Sequence, residues 1–429
     1  MLGVILSIVG IVLALCFIGF FAIKGKHIMI LAPVAALIIG AFGAVGIENS
    51  IVSYMGGFGD ALKNILLIYM NSLIISALMT RCGYCHSIAY FIADHVGAKR
   101  TPIVCMLFCV LMTIAGASTA SYIIMYQIGL VLCSTQNYSR GFLAAAAMCG
   151  TWNTAAVMPF GATLYNGIMC PAFDLLPTHG FAIGMTTAIV MFAVNALYLQ
   201  IHLKRKCQGG FDSWEMIELD ESLRENLPPV WKAFIPIILV LCIYNFVGLH
   251  LVISVAIGSI YVSVVEYKKL KEGLFKIWEN GAVDALPILA GVACMTGVGA
   301  VLQQTEAWGP ITSLLNPEVN PYLGTAAFIW LMGILCGSSQ AALNSALPTL
   351  IDVFPTFVDR GANLEILSRV AICATNVAST LPYSGSVIAC LNLFKTNHKE
   401  SYMPIFMTLF LLPSLVVACV TVPIAMLVY

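Results

Sequence analysis

The chain has 429 residues, of which 9% are charged and 60% hydrophobic, where soluble domains carry roughly 25% charged residues. Its mean hydropathy of +0.95 means more apolar surface than a core of this size can bury, which excludes a soluble enzyme and implies a polytopic protein in a lipid bilayer. The 20 basic and 20 acidic residues cancel, so no strong field exists to attract nucleic acid.

The first apolar run, Leu2 to Ile23, lacks a basic leading region and a small-residue cleavage site, and reads as a retained span rather than a signal peptide. Runs at 28–47, 61–79 and 180–202 are also long enough to cross. Between them lie two irregular blocks. Residues 101–134 break near Gly116 into two short halves and are expected to form a re-entrant hairpin. Residues 141–166 are interrupted from Asn153 to Gly161 by a proline and by small or polar residues, so this helix is expected to unwind there. A polar linker at 204–229 follows, and then spans at 231–248, 249–266, 284–303 and 402–428. A second hairpin is expected at 323–355 with its tip at Gly337 to Gln340, and a second broken helix at 368–390. Backbone irregularity at membrane depth is tolerated only around a buried site or an aqueous cavity.

Two halves emerge, residues 1–203 and 230–429. Gly116-Ala-Ser118-Thr119-Ala120 recurs as Gly337-Ser-Ser339-Gln340-Ala341, and Asn153 with Pro159-Phe160 recurs as Asn376 with Pro382-Tyr383. Asp60-Ala-Leu62 matches Asp284-Ala-Leu286, and Cys149-x-Thr151 matches Cys373-x-Thr375, all at offsets of 221 to 224 residues. The charges suggest that the repeats are inverted. In the first half the first turn is basic (Lys24, Lys26) and the second, Val45 to Gly59, has no Lys or Arg; in the second half the first turn, near Gly248, lacks them and the second carries Lys268, Lys269, Lys271 and Lys276. Lys24, Lys26 and Lys204 to Lys206 mark the cytoplasmic side, so both termini are expected outside a multi-pass inner (cytoplasmic) membrane protein. Inverted repeats around a midplane site are a feature of secondary transporters.

Hairpin tips and broken helices expose free N–H groups at helix N-termini, which suit anions, and free carbonyls at C-termini, which suit cations. The hydroxyl and amide side chains there are candidates to bind a carboxylate: Ser118, Thr119, Asn153 and Thr154 in the first half, and Ser339, Gln340, Asn376, Ser379 and Thr380 in the second. Each could equally be interhelical glue. Asp60 and Asp284 are coupling-ion candidates or helix N-caps. Arg369 could draw in a carboxylate or pair with Glu365 one turn earlier. Cys82-Gly-Tyr-Cys85-His86 spells a haem-attachment string, but it falls on the cytoplasmic side. The bland reading is an interfacial amphipathic helix from Tyr84 to Val96, and the fifteen cysteines read as small buried hydrophobes. No cofactor is expected beyond a coupling H+ or Na+. No phosphate loop supports ATP-driven transport. A passive channel and an intramembrane redox enzyme are the readings from other classes.

The segment Ser368-Arg369-Val370-Ala371 through Leu381-Pro382-Tyr383-Ser384-Gly385-Ser386, followed by Thr396-Asn-His398-Lys399-Glu400-Ser-Tyr402, resembles the gluconate permease family, nearest its hydroxybutyrate permease branch. Lys24-Gly-Lys26-His27, the Gly56-Gly57-Phe58-Gly59 turn and Gly83 to Arg100 are similar as well. The chain departs from the pattern at Tyr383, where the family has His, and at Asn153 to Gly161. The resemblance implies the ion transporter superfamily fold, with a scaffold domain, a transport domain carrying two hairpins and commonly a homodimer. It also implies proton-coupled uptake of small organic acids such as 3-hydroxybutyrate or gluconate. A dicarboxylate carrier or Na+/H+ exchanger of the same superfamily is the alternative.

Overall fold

The computed structural model describes residues 1–24, 26–207, 227–316, 318, 320–381 and 384–428. Most of the 204–229 linker therefore lies outside the described residues, as do Pro382 and Tyr383. The described residues form helices and no strand, as an apolar chain must when its backbone polar groups have no water to bond. Seven helices among them are long and apolar enough to cross a membrane, or up to eight if one bent pair counts as a span.

The helices of the first half are α1 (Leu2–Ile23), α2 (Ile28–Phe42), α3 (Ile47–Arg81), α4 (Tyr84–Val96), α5 (Thr101–Ile114) and α6 (Ser118–Gln136). They are followed by α7 (Leu143–Met148), which widens into a π-helical stretch at Cys149–Ala155, then α8 (Leu164–Ala172) and α9 (Phe181–Lys206). The second half carries α10 (Val230–Cys242), α11 (Leu251–Val265), α12 (Leu274–Leu302), α13 (Pro321–Cys336) and α14 (Ser339–Asp359). Helix α15 (Leu364–Ala374) tightens into a 3-10 stretch at Thr375–Thr380 and precedes α16 (Gly385–Leu393) and the last long helix, α17 (His398–Leu427).

Helices α5 and α6 occupy the block at 101–134 and α13 and α14 the block at 323–355, while the π-helical stretch at Cys149–Ala155 and the 3-10 stretch at Thr375–Thr380 interrupt the helices of the other two blocks. The amphipathic helix also holds its bounds: α4 buries Tyr84, Cys85, Ile88, Ala89 and Ile92 along one face, and turns into α5 with a bend of 103°. Two expectations are corrected. The stretch from Val45 to Gly59 is no turn, because α3 begins at Ile47 and runs unbroken through Gly56, Gly57 and Gly59. Interior glycine costs a helix about 1 kcal/mol each, but opening the ladder in a membrane costs more. For the same reason Asp60 and Asp284 are not N-caps; they lie inside α3 and α12, on exposed faces. Helices α2 and α11 are 15 residues each, about 22 Å long, and so shorter than the runs that suggested full spans.

The glycines of α3 explain its main contact. A Cβ at Gly57 would stand 2.6 Å from Ala300 Cβ and 2.9 Å from the Thr296 carbonyl, and one at Gly297 would stand 2.7 Å from the Tyr54 carbonyl. Farther along, Gly281 packs on Ile74. Gly57 thus meets Gly297 and Ile74 meets Gly281, so α3 and α12 run antiparallel at close range, the small-residue packing that membrane helices use when no hydrophobic drive exists between them.

Candidate functional site

The turns of the two hairpins are built from the residues that permit them. Gly116 (φ +80°) and Gly337 (φ +58°) adopt left-handed backbone, which a Cβ would strain. Ser338 then caps α14, its Oγ accepting from Ala341 N at 3.5 Å and donating to Gln340 Oε1 at 3.2 Å. The first tip is tied down on two sides. Ser72 Oγ of α3 donates to the Gly116 carbonyl, and Ala162 N, in the unwound turn between α7 and α8, donates to the Ile114 carbonyl at 2.8 Å. Beyond that turn, Thr163 caps α8 by accepting from Asn166 N at 3.4 Å.

Asn166 holds the unwound turn in shape. Its Nδ2 donates to the carbonyls of Met158 (3.0 Å) and Gly161 (2.9 Å). Its Oδ1 accepts from Arg369 Nη1 at 2.9 Å. Arg369 is fully buried in α15. Its Nε donates to the His179 carbonyl at 3.2 Å, and Nη2 donates to the carbonyls of Pro177 (3.0 Å) and His179 (2.9 Å). Glu365 instead accepts from Gly180 N at 3.2 Å. The Arg369 side chain therefore neither pairs with Glu365, as one reading expected, nor reaches a cavity. It fastens the second broken helix to the first. His179 lies in the turn before α9, where burial, aided by the Arg369 guanidinium, pushes its ring down to about 3.

Between the hairpin tips, the second broken helix and α12 lies a cavity of about 550 Å³. Four helix N-termini meet on it: Ser118 opens α6, Leu164 opens α8, Ser338 caps α14 and Ser384 caps α16. Gln340, Tyr69, Tyr122 and Trp152 add polar tips. No Lys, Arg, Asp or Glu lines it among the described residues. A smaller hollow of about 30 Å³ shares Ser118, Trp152, Leu164 and Gln340 and reaches Thr113, Thr151 and Gly116. Each N-terminus carries about half a positive charge, and the lining also takes in the C-terminal ends of α13 at Cys336 and Gly337 and of α16 at Leu393, so the helix starts offer N–H groups to an anion beside carbonyls of opposite sign.

Of the residues singled out by sequence, Ser118 and Gln340 line this cavity. Asn153 and Thr154 are fully buried in the π-helical stretch, where Asn153 Nδ2 donates to the Thr408 carbonyl of α17. Ser339 is buried at the start of α14, within reach of Tyr165. Asn376 Nδ2 bonds the Cys373 carbonyl at 3.1 Å, and Thr380 Oγ1 bonds the Val377 carbonyl at 2.8 Å. The side chains of Thr119 and Ser379 lie outside those described. Sequence reasoning passed over Tyr69, Tyr122, Trp152 and Ser384. Tyr122 stands one turn beyond Ser118 and Ser384 opens the helix after the second break, so both were within reach of the same logic. Cys82 and Cys85 are buried, and no group of three metal-ligating side chains occurs among the described residues.

No family model matches the chain. It is 22% identical to an uncharacterised transporter, YxjC, of Bacillus subtilis (strain 168), over 94% of this chain and 95% of that one. It is 23% identical to a probable anaerobic C4-dicarboxylate transporter, DcuC, of Vibrio cholerae over 89% of this chain and 90% of that one. An uncharacterised permease of Haemophilus influenzae is 23% identical over 81% of this chain and 78% of its own. All three relatives are transporters or permeases by name.

Proposed function

We propose that this chain is a secondary active transporter that moves a small carboxylate across the membrane by alternating access, coupled to H+ or Na+. The observation that carries the reading is the meeting of four helix N-termini and Gln340 on one cavity free of acidic side chains. Such a site attracts an anion, while a cation must travel with the cargo because an uncompensated charge crosses the membrane at high cost. Relatives named as transporters, aligned over most of their length, support the same class.

In this reading residues 1–203 and 230–429 are inverted repeats joined by a cytoplasmic linker, and the hairpins are re-entrant. The α3–α12 frame belongs to the scaffold, and the hairpins with the broken helices belong to the moving part. The protein sits in the inner membrane with both termini outside and works as a homodimer, in keeping with the gluconate permease likeness. Asp60 and Asp284 remain candidates to carry a proton, and the hydroxyls and carbonyls at the breaks remain candidates to hold Na+. The relative named as a C4-dicarboxylate transporter makes a dicarboxylate the second reading of the cargo.

The test is uptake into liposomes containing the purified protein, with labelled 3-hydroxybutyrate and succinate as cargo under an imposed pH gradient and, separately, a sodium gradient. Accumulation above equilibrium that follows one gradient is the expected result and names the ion. Uptake that never exceeds equilibrium under either would mean a passive channel.

A further inference from the structure

We infer that the preferred cargo is a monocarboxylate with an unsubstituted hydrocarbon chain, ahead of polyhydroxylated and doubly charged acids; this rests on the reading of the cavity as the cargo site. The hairpin tips and helix starts supply Ser118, Ser338, Gln340 and Ser384 to meet a carboxylate, with Tyr69, Tyr122 and Trp152 beside them. The wall supplied by α1, α2 and α12 is mostly hydrocarbon, Ile18, Ile28, Ile288, Val292 and Met295, with His27 at the start of α2 as its polar side chain. A second carboxylate laid on that wall would lose its hydration with no Lys or Arg among the described lining residues to replace it, and His27 is the single side chain there that could meet it. Most hydroxyls of a sugar acid laid on this wall would likewise give up their water without finding a partner. A methylene there gains instead, by about fourfold in affinity.

Space permits the chain. At the roughly 30 Å³ that one water claims in the liquid, an acid of ten heavy atoms fills about 300 Å³, well within the cavity of about 550 Å³. Gly291 sets the limit. It lines the cavity, and a Cβ added there meets only Ile28 Cγ2 at 3.7 Å, an ordinary contact. A larger side chain at this position enters the hydrocarbon end without disturbing the frame.

The experiment is calorimetric binding to the full-length protein in nanodiscs, with empty nanodiscs subtracted, using butyrate, valerate, hexanoate, succinate and gluconate. Affinity is expected to rise about threefold to fourfold with each methylene from butyrate to hexanoate, with succinate and gluconate weaker than butyrate. Gly291→Leu is expected to abolish that rise while butyrate still binds. Binding of succinate or gluconate as tight as that of butyrate, or affinity independent of chain length, overturns the hydrocarbon-chain inference and leaves the cargo site standing. Absence of binding by every acid overturns the cargo site itself, and the inference falls with it.

Discussion

Arg369 and Asn166, 203 residues apart in the chain, join the two broken helices through a 2.9 Å hydrogen bond from guanidinium to amide oxygen. Asn166 passes the restraint on, since its own amide holds the Met158 and Gly161 carbonyls of the unwound turn. The turn is therefore braced by a side chain of the other half of the molecule, through Asn166. Gly180 and Gly184 make the room: a Cβ at either would stand 3.0 Å from an Arg369 side-chain carbon.

Arg369→Leu should destabilise the protein by several kcal/mol, because it strands the Pro177 and His179 carbonyls and the Asn166 oxygen in the interior, at about 1–3 kcal/mol for each unsatisfied group. Arg369→Lys should recover only part of the loss, since one ammonium cannot reach all three acceptors. Thermal unfolding in detergent is the check, and an Arg369→Leu protein that melts like the parent would discard this role.

The glycines of α3 should separate by position. Gly57→Ala forces a Cβ against Ala300 and the Thr296 carbonyl and should cost about 1–3 kcal/mol by overpacking. Gly56→Ala and Gly59→Ala meet nothing within 4 Å and should be neutral or gain up to about 1 kcal/mol from helix propensity. Equal melting temperatures for all three variants would contradict the close approach of α3 and α12.

His179 predicts a pH dependence. In the unfolded chain its ring titrates at the ordinary 6.5, and in the folded protein it is pushed down to about 3. Between those values the unfolded chain binds a proton that the folded chain refuses, so this residue lowers stability as pH falls through the window and has no effect above it. The slope is about 1.4 kcal/mol per pH unit. Melting curves from pH 7 to pH 4 should therefore fall less steeply for His179→Gln than for the parent; parallel curves would refute the shift.

Within the site, Gln340→Ala and Ser118→Ala should each weaken carboxylate binding by about tenfold, the loss of one hydrogen bond to a charged group. Asn153→Ala should leave affinity nearly intact and slow uptake, because its amide ties the first broken helix to Thr408 and does not line the cavity. Titration and uptake measured on the same preparations test both halves; a tenfold affinity loss in Asn153→Ala would move it into the binding site.

The irregular elements were legible in the sequence because their causes are local. Gly116 and Gly337 stand in the middle of apolar blocks and take left-handed backbone, and Pro159 sits among small and polar residues where the helix gives way. The full length of α3 was not legible. Gly56, Gly57 and Gly59 have the composition of a turn, and only a partner helix 240 residues on, Gly297 against Gly57, reveals that one of them is there for close packing. Ser118 and Gln340 were found because polar residues beside a break are conspicuous. The wall from Pro287 to Met295 was missed because apolar residues in a span look alike whether they face lipid, protein or cargo. Arg369 had a plausible partner in sequence, Glu365, but its acceptors come from a turn that only the fold brings to it.

The positive end of the cavity is made of peptide N–H groups, and these neither gain nor lose a proton in any water a cell contains. A lysine or a histidine clamp would loosen or tighten with acidity, whereas helix ends keep the same partial charge from an acidic exterior to a neutral cytoplasm. The helix ends therefore give the proposed transport cycle no response to pH of their own.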